Sequence, residues 1–327
     1  MKILITGGAG FIGFNLAKAL AARGHALVLI DNFARGANDA ELAAFLASGA
    51  HNLHKADLLE RGCLDFLPDD FEAVVHLAAI LGVEKVNRDP LPVLRDNLRM
   101  NMEVLGFAQR QKALWRFLFA STSEVYVGTL EKYGLAFPTP ETTSLALPDL
   151  SAPRTSYMLS KIYGEALAIQ SGLPFTIIRP HNIYGPRMGM SHVVPQLMQR
   201  IWHLPAGGEL LVYSAEHRRT FCYALDAAHL IAAVLETPAC ARVTLNIGNE
   251  QPEVEMGTLA ALIAEVVGRK IKIVAGPVTP GSPERRQPDI SNLIRLTGSR
   301  PEMSLEDGLR RTFAWYHEHV FEKKASN

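Results

Sequence analysis

Tyr157 and Lys161 are the residues whose types and spacing most directly suggest chemistry. They stand four positions apart in Y-M-L-S-K, in a segment of helical composition, so both side chains are expected on one face of a helix. A free tyrosine has a pKa of about 10, and a neighbouring ammonium lowers that pKa. The pair therefore suits removal of a hydroxyl proton while a hydride leaves the same carbon. Taken alone, this spacing is common by chance.

A glycine-rich turn near the amino terminus predicts a site for the cofactor that accepts the hydride. Gly7, Gly10 and Gly13, in T-G-G-A-G-F-I-G, fall between an aliphatic strand pattern and an amphipathic helix pattern. Glycines at this spacing allow a tight turn, close approach of the backbone to a pyrophosphate and close packing of helix on strand. The helix start at Phe11 and Ile12 offers N–H groups to the phosphates. The alternative is an ordinary strand-to-helix turn.

Asp31 ends the second strand pattern, where an acid can bind the hydroxyl groups of the adenosine ribose. Such an acid repels a 2′-phosphate, so the sequence predicts NAD as the cofactor, although Arg35 could accommodate that phosphate. The remaining candidates to contact the nucleotide lie at or after strand ends. They are Asn32, Asp57, Leu58, Leu77, Ala78 and Ala79.

Hydrophobic patterning predicts an α/β fold. Five runs are apolar at nearly every position, as strands covered on both faces require: Lys2–Thr6, Ala26–Ile30, Ala73–Leu77, Arg116–Ala120 and Phe175–Arg179. Segments of helical length alternate with them, which predicts a doubly wound parallel sheet of the Rossmann type over residues 1–180. Residues 181–327 are expected mainly to form a smaller α/β substrate-binding domain, with the chain returning to the first domain around 220–245. The charged tail at 322–327 is expected to fray.

Composition excludes several classes of protein. The 327 residues carry 33 Lys+Arg and 33 Asp+Glu, a balance that argues against nucleic acid as a partner. Cys63, Cys222 and Cys240 have no disulfide or zinc-site spacing, and no histidine spacing indicates a metal. Because no apolar run is long enough for a membrane span, we expect a soluble, cytoplasmic protein.

The motifs together resemble those of a known family. T-G-G-A-G-F-I-G, H-L-A-A, S-T-S-E-V-Y, Y-M-L-S-K and R-P-H-N-I-Y-G-P-R occur in the order and spacing of the extended short-chain dehydrogenase/reductases that act on nucleotide sugars. The resemblance covers residues 1–315. It implies that Tyr157 and Lys161 are the catalytic pair and that bound NAD⁺ oxidises the sugar at C4 to a ketone. It also implies a homodimer formed through helices at 93–112 and 156–171.

The segment Thr122-Ser123-Glu124 bears on the fate of the C4 ketone. Thr122 resembles the family hydroxyl that hydrogen-bonds the C4 oxygen. Ser123 stands where the related 4,6-dehydratases usually carry an acid, and a serine hydroxyl is a poor proton donor at neutral pH. Thr-Ser-Glu most resembles the UDP-glucuronate decarboxylases, with Glu124 beside the sugar or, alternatively, as a structural carboxylate. A 4-epimerase, then a dehydratase or C4 oxidase, are the alternative activities; a non-catalytic dinucleotide-binding protein is the alternative class.

The resemblance also implies contacts with the cofactor and with a nucleotide-diphosphate sugar. On the cofactor side it implies Asn97, retained from a family helix motif, and Pro180, which covers the nicotinamide face. The residues implied for the substrate are Asn182 at the diphosphate, Val193 in the nucleobase segment, Tyr213, and the arginines Arg219 and Arg286, the latter in the R-x-P-D-I pattern of the decarboxylases.

Overall fold

The first half of the chain alternates strands with helices in the computed structural model, which describes residues 1–279 and 281–322. The predicted strands are confirmed, with small shifts at their ends, and one further strand, His51–Lys55, precedes Asp57. The elements are β1 Lys2–Thr6, α1 Phe11–Ala22, β2 Ala26–Asp31, α2 Ala40–Ala47, β3 His51–Lys55, β4 Ala73–His76, α3 Val83–Arg88, α4 Pro90–Gln109, β5 Arg116–Ala120, a 3₁₀ turn Ser123–Tyr126, α5 Val127–Tyr133, α6 Pro153–Gln170 and β6 Phe175–Pro180.

The second half contains shorter strands and helices. They are β7 Ile183–Tyr184, α7 Val193–His203, β8 Glu209–Val212, β9 Arg218–Arg219, β10 Cys222–Tyr223, α8 Ala224–Glu236, a 3₁₀ turn Pro238–Cys240, β11 Val243–Ile247, β12 Val254–Glu255, α9 Met256–Val267, β13 Lys272–Ala275, β14 Arg285–Arg286, α10 Ser291–Thr297, α11 Leu305–Tyr316 and a π-helical turn His317–Phe321. From residue 323 onward, the tail predicted to fray lies outside the described residues.

Seven parallel strands form the central sheet, in the order β11-β6-β5-β4-β1-β2-β3. The strand order reverses between β1 and β4, and ligands of open α/β sheets bind at such a reversal, beyond the carboxyl ends of the strands. The central strands are covered on both faces, as Ile3, Ile5, Leu118 and Ile177 show by their full burial. The predicted doubly wound fold is therefore confirmed.

The chain returns to this sheet after building part of the second half. Helix α8 packs against α1, and β11 pairs with β6 in the register Val243↔Thr176 to Ile247↔Pro180. A separate apolar core forms among α7, α9 and α11 around residues such as Leu197 and Ile263. Among the described residues, no helix combines the length and apolar character needed to cross a membrane.

Candidate active site

The glycine turn has the close contacts that its sequence predicts. Gly7 has a φ of +69°, and a Cβ placed on it would lie 3.0 Å from the backbone nitrogen of Ala78. A Cβ on Gly13 would lie 2.1 Å from the carbonyl oxygen of Gly7. Helix α1 begins at Phe11 without a side-chain cap, so its first-turn N–H groups and dipole are directed to this turn. The turn thus has the backbone geometry that a dinucleotide pyrophosphate requires.

Asp31 connects the glycine turn to the loop that follows β2. Its Oδ2 accepts a hydrogen bond from the Ala9 backbone at 3.0 Å, and its Oδ1 accepts one from the Phe33 backbone at 2.8 Å. Each carboxylate oxygen retains lone-pair capacity for a ribose hydroxyl. Nearby, Asn32 Nδ2 donates to Asp57 Oδ2 at 3.3 Å, which places these two predicted cofactor residues together.

The candidates after β4 lie at the strand reversal. The Ala78 backbone donates to Thr6 Oγ1 at 3.3 Å, and the Leu77 backbone donates to the Thr6 carbonyl at 3.2 Å. Ala79 continues this segment and is only partly buried, whereas Leu58 belongs to the core. The segment therefore lies against the glycine turn through backbone groups.

The side-chain amide of Asn97 is hydrogen-bonded to other protein groups. Its Oδ1 accepts from the Ile80 backbone at 2.7 Å, and its Nδ2 donates to the Ile80 carbonyl at 2.9 Å and to Ser160 Oγ at 3.2 Å. The residue is buried. In this geometry Asn97 positions the loop after β4 and the helix that carries Tyr157.

Helix α6 brings Tyr157 next to Thr122. The Thr122 hydroxyl is within hydrogen-bonding reach of the phenol. Burial raises the pKa of Tyr157, the Glu124 carboxylate adds to the rise, and Thr122 and the Arg35 guanidinium oppose it. We predicted that Lys161 lowers this pKa; in the structure burial prevails, and Lys161 is not among the groups that lower it.

Lys161 lies on the same face of α6 but is directed at the end of β5. Its Nζ donates to the Ala120 carbonyl at 2.8 Å and lies 5.9 Å from the centre of the Tyr157 ring. Burial lowers the pKa of Lys161 to about 8, and the Glu165 carboxylate opposes this shift. The ammonium is therefore positioned by the backbone and adjoins the phenol ring.

A buried ion pair behind Lys161 was missed in the sequence. Arg179 of β6 donates from Nε and Nη2 to the two oxygens of Glu165, at 2.9 and 2.7 Å, and Ser121 Oγ donates to the same carboxylate at 2.5 Å. Glu165 follows Lys161 by four positions, as Lys161 follows Tyr157. That repeated spacing on one helix face was the signal that could have revealed it.

Glu124 lies between two arginines. Its Oε1 accepts from Arg286 Nη2 at 2.7 Å, and its Oε2 accepts from Arg154 Nη2 at 3.2 Å. Although burial alone raises the pKa of Glu124, the charges of Arg286, Arg154 and, more weakly, Arg219 lower it below its usual value. Arg154 precedes Tyr157 by three positions on α6 and was not identified from the sequence.

The two arginines predicted for the substrate are neighbours in a small sheet. Strand β14 pairs in parallel with β9, so that Arg286 faces Arg219 in register. Arg219 donates to the carbonyls of Arg218 at 2.7 Å and Glu284 at 3.1 Å, to the Pro283 carbonyl and to Ser282 Oγ. Most of its donors are therefore satisfied by the loop that leads into β14.

The remaining predicted residues comprise three for the substrate (Asn182, Val193 and Tyr213), Pro180 for the cofactor and Ser123 for catalysis. Asn182, at a φ of +43°, donates from Nδ2 to the Thr220 carbonyl at 2.9 Å, which supports the crossover after β6. Val193 is the first residue of α7, and Tyr213 follows β8 with half of its surface exposed. Pro180 ends β6. Ser123 is buried and lines a small cavity with Arg286.

A parallel sheet with a glycine turn, an acid at the end of β2 and a Tyr–Lys pair beside a threonine is typical of a dinucleotide-dependent enzyme of the short-chain dehydrogenase/reductase type. The sequence profile of the NAD-dependent epimerase/dehydratase family matches residues 3–248. The chain belongs to this family, and it is an NAD-dependent enzyme.

Named relatives and solved structures match nearly the whole chain. A UDP-N-acetyl-α-D-glucosaminuronate decarboxylase from Bacillus cytotoxicus is 31% identical, with 97% of this chain and 98% of that protein covered. UDP-glucuronic acid decarboxylase 1 from Xenopus tropicalis is 31% identical over 100% of this chain and 74% of its own length. The UDP-glucuronic acid 4-epimerase of Bacillus cereus, solved with UDP-glucuronic acid and NAD, superposes with a TM-score of 0.81 at 27% identity, covering 97% of this chain and 99% of that one.

Proposed function

We propose that this protein is a nucleotide-sugar decarboxylase that acts on a UDP-linked hexuronate through a C4 ketone. The observation that carries the proposal is the group of arginines around Glu124, beside Thr122 and Tyr157. The named decarboxylases that are similar to this chain support the same reaction.

The charges at this end of the cleft favour an anionic sugar. Arg154, Arg219 and Arg286 contribute three positive charges and Glu124 one negative charge, a local excess of two. Guanidinium groups bind carboxylates through paired donors. A neutral hexose gains nothing from this excess, whereas the C6 carboxylate of a uronate does.

The state of Glu124 favours decarboxylation over dehydration. Elimination of water needs a base at C5 and an acid at the C6 hydroxyl. A pKa lowered by two arginines makes Glu124 a weak base, and the acid position carries Ser123. Loss of carbon dioxide needs neither group, because the electrons of the C5–C6 bond pass into the C4 ketone.

Tyr157 and Thr122 would act on the C4 oxygen. Because burial raises the pKa of Tyr157, its phenol must lose a proton before it can act as the base. The phenolate would then take the proton of the C4 hydroxyl, and the Thr122 hydroxyl would orient that oxygen. NAD held by the glycine turn and Asp31 would supply the hydride acceptor for C4 and the hydride donor that restores C4 after carbon dioxide has left. C5 takes up one proton, ultimately from solvent, so that a carboxylate and a proton are exchanged for carbon dioxide and a C–H bond.

A 4-epimerase is the second candidate, since the UDP-glucuronic acid 4-epimerase structure superposes over almost the entire chain. The deciding experiment is incubation of the NAD-loaded protein with UDP-glucuronate, its N-acetyl counterpart and UDP-glucose, with products separated by mass. Loss of carbon dioxide supports the proposal; an isomer of unchanged mass supports epimerisation and overturns it. Tyr157→Phe is the matched control and should reduce conversion by roughly two to four orders of magnitude.

We further propose a cytoplasmic homodimer in which residues 1–180, with α8 and β11, bind NAD and the remainder mainly binds the sugar nucleotide. Helices α4 and α6 pack against each other and expose large apolar side chains: Leu91, Met102, Tyr163 and Ile169. A second copy of the chain would cover these side chains. Three unpaired cysteines accord with a reducing compartment.

A further inference from the structure

Arg35 is an exposed residue whose guanidinium lies at the cleft and forms no ion pair or hydrogen bond with the described residues. By contrast, Arg219 is satisfied by the loop carbonyls, and Arg286 is paired with Glu124. The two arginines predicted for the substrate thus each have a protein partner, although Arg286 uses only one of its donors in that contact. Arg35 remains available for an anion.

The loop that carries Arg35 lies on the glycine turn. The Ala37 backbone donates to the Ala9 carbonyl at 3.3 Å, and a Cβ on Gly36 would lie 2.9 Å from Ala9 Cβ. The backbone of Arg35 therefore lies next to the predicted pyrophosphate site.

The Arg35 side chain extends from this backbone to the segment around Gly189, on the opposite side of the cleft. A Cβ on Gly189 would lie 3.4 Å from Arg35 Nη2, so the guanidinium lies against the segment before α7. Its charge contributes to lowering the pKa of His192 in the same segment, after the larger effect of burial. It also opposes the rise in the pKa of Tyr157.

These contacts locate the guanidinium along the dinucleotide. The adenosine end is marked by Asp31 and the nicotinamide end by Tyr157, and Arg35 extends from the first toward the second. The diphosphate of a dinucleotide lies between its adenosine and nicotinamide ends, whereas the 2′-phosphate of NADP would lie beside Asp31.

We propose that Arg35 binds a diphosphate in the cleft, either that of the dinucleotide or that of the nucleotide sugar. Both offer the same chemistry, a dianion whose oxygens accept the paired donors of a guanidinium. Only the nucleotide-sugar source rests on the proposed function, because the dinucleotide is the cofactor of the family.

The test compares Arg35→Gln and Arg35→Lys with Arg23→Gln. Arg23 follows α1 at the end opposite the glycine turn and pairs with Glu236, so its replacement removes an equal charge away from the cleft. One measurement is the affinity of cofactor-stripped protein for NADH and NADPH by fluorescence. The other is the affinity of NAD-loaded protein for UDP by calorimetry.

Arg35→Gln should weaken one of these affinities roughly 10- to 100-fold, Arg35→Lys should restore part of it, and Arg23→Gln should change neither. A loss for both NADH and NADPH identifies the cofactor diphosphate, and a loss for UDP identifies the substrate diphosphate. Unchanged affinities, or a loss confined to NADPH, would overturn the proposal. If the unaltered protein fails to bind UDP, the proposed function fails, while the NADH measurement still decides the role of Arg35.

Discussion

Glu124 Oε1 lies 2.7 Å from Arg286 Nη2, across 162 positions of sequence. The contact joins the turn after β5 to strand β14 and so links the dinucleotide sheet to the second half of the chain. Under the proposed function, this guanidinium would lie beside the carboxylate of the sugar, close to Thr122 and Tyr157.

Replacing Arg286 should impair recognition of charge on the sugar. We expect Arg286→Gln to weaken binding of UDP-glucuronate roughly 10- to 100-fold, because a charge-assisted hydrogen bond is lost. Binding of UDP-glucose, which has no carboxylate, should change by only a few-fold. Calorimetry on the NAD-loaded protein measures the affinities for the two ligands. The control is Arg218→Gln, because Arg218 forms a solvent-exposed ion pair with Glu255. An equal loss for the two ligands would contradict a carboxylate-binding role.

The stabilising effect of Glu124 should depend on pH in a defined direction. Because Arg286 and Arg154 lower its pKa in the folded state, the carboxylate stabilises the fold above its unfolded pKa of about 4.3. That contribution is lost as pH falls through the lowered value. Urea denaturation should therefore show Glu124→Gln to be about 2 kcal/mol less stable at pH 7, with the difference shrinking below about pH 4. A difference independent of pH would refute this account.

Lys161 should reduce stability while it supports catalysis. Burial lowers its pKa to about 8 from a usual value near 10.5, so below pH 8 the fold contains a cation that the unfolded chain solvates better. Lys161→Met removes that cost, about 3 kcal/mol, and also the hydrogen bond to the Ala120 carbonyl, about 1 kcal/mol.

The net expectation is a gain of about 2 kcal/mol in the free energy of unfolding at pH 7, together with a large loss of activity. The gain should shrink as pH rises from about 8 toward 10.5, since the folded protein releases its proton first. Denaturant titrations of cofactor-free protein at several pH values measure the effect. A variant that is less stable at every pH would show that packing and the hydrogen bond outweigh the charge.

The exposed apolar side chains of α4 and α6 should become buried in a dimer. Met102→Glu combined with Tyr163→Glu introduces two charges per subunit on this surface, and uncompensated charges in an apolar interface strongly oppose association. Sedimentation should give a dimer for the unaltered chain and a monomer for the double variant. Tyr133→Glu, on a different exposed helix, is the control. A monomer in both cases would refute the proposed dimer.

Local patterns explain why much of the fold was predictable. A strand buried on both faces needs an apolar residue at almost every position, and a helix on that sheet needs an apolar stripe, so both features are visible in one segment. The close contact of Gly13 with Gly7 follows from the turn itself, whereas that of Gly7 with Ala78 requires the neighbouring strand β4. Tyr157 and Lys161 share a face because four residues nearly complete a helical turn.

Long-range pairings were decided by the tertiary structure. Glu165 and Arg179, or Glu124 and Arg286, are ordinary charges until folding removes them from water and requires a partner for each. The direction of Lys161 and the rise in the pKa of Tyr157 depend on burial, which no spacing in the sequence measures.

The amino-acid sequence by itself determined the individual strands, the glycine turn and the shared helix face of Tyr157 and Lys161, because each depends on neighbours within a few residues. Only the tertiary structure decided which arginines are engaged by the protein and which one remains unpaired in the cleft among the described residues, since that outcome depends on groups far apart in the chain.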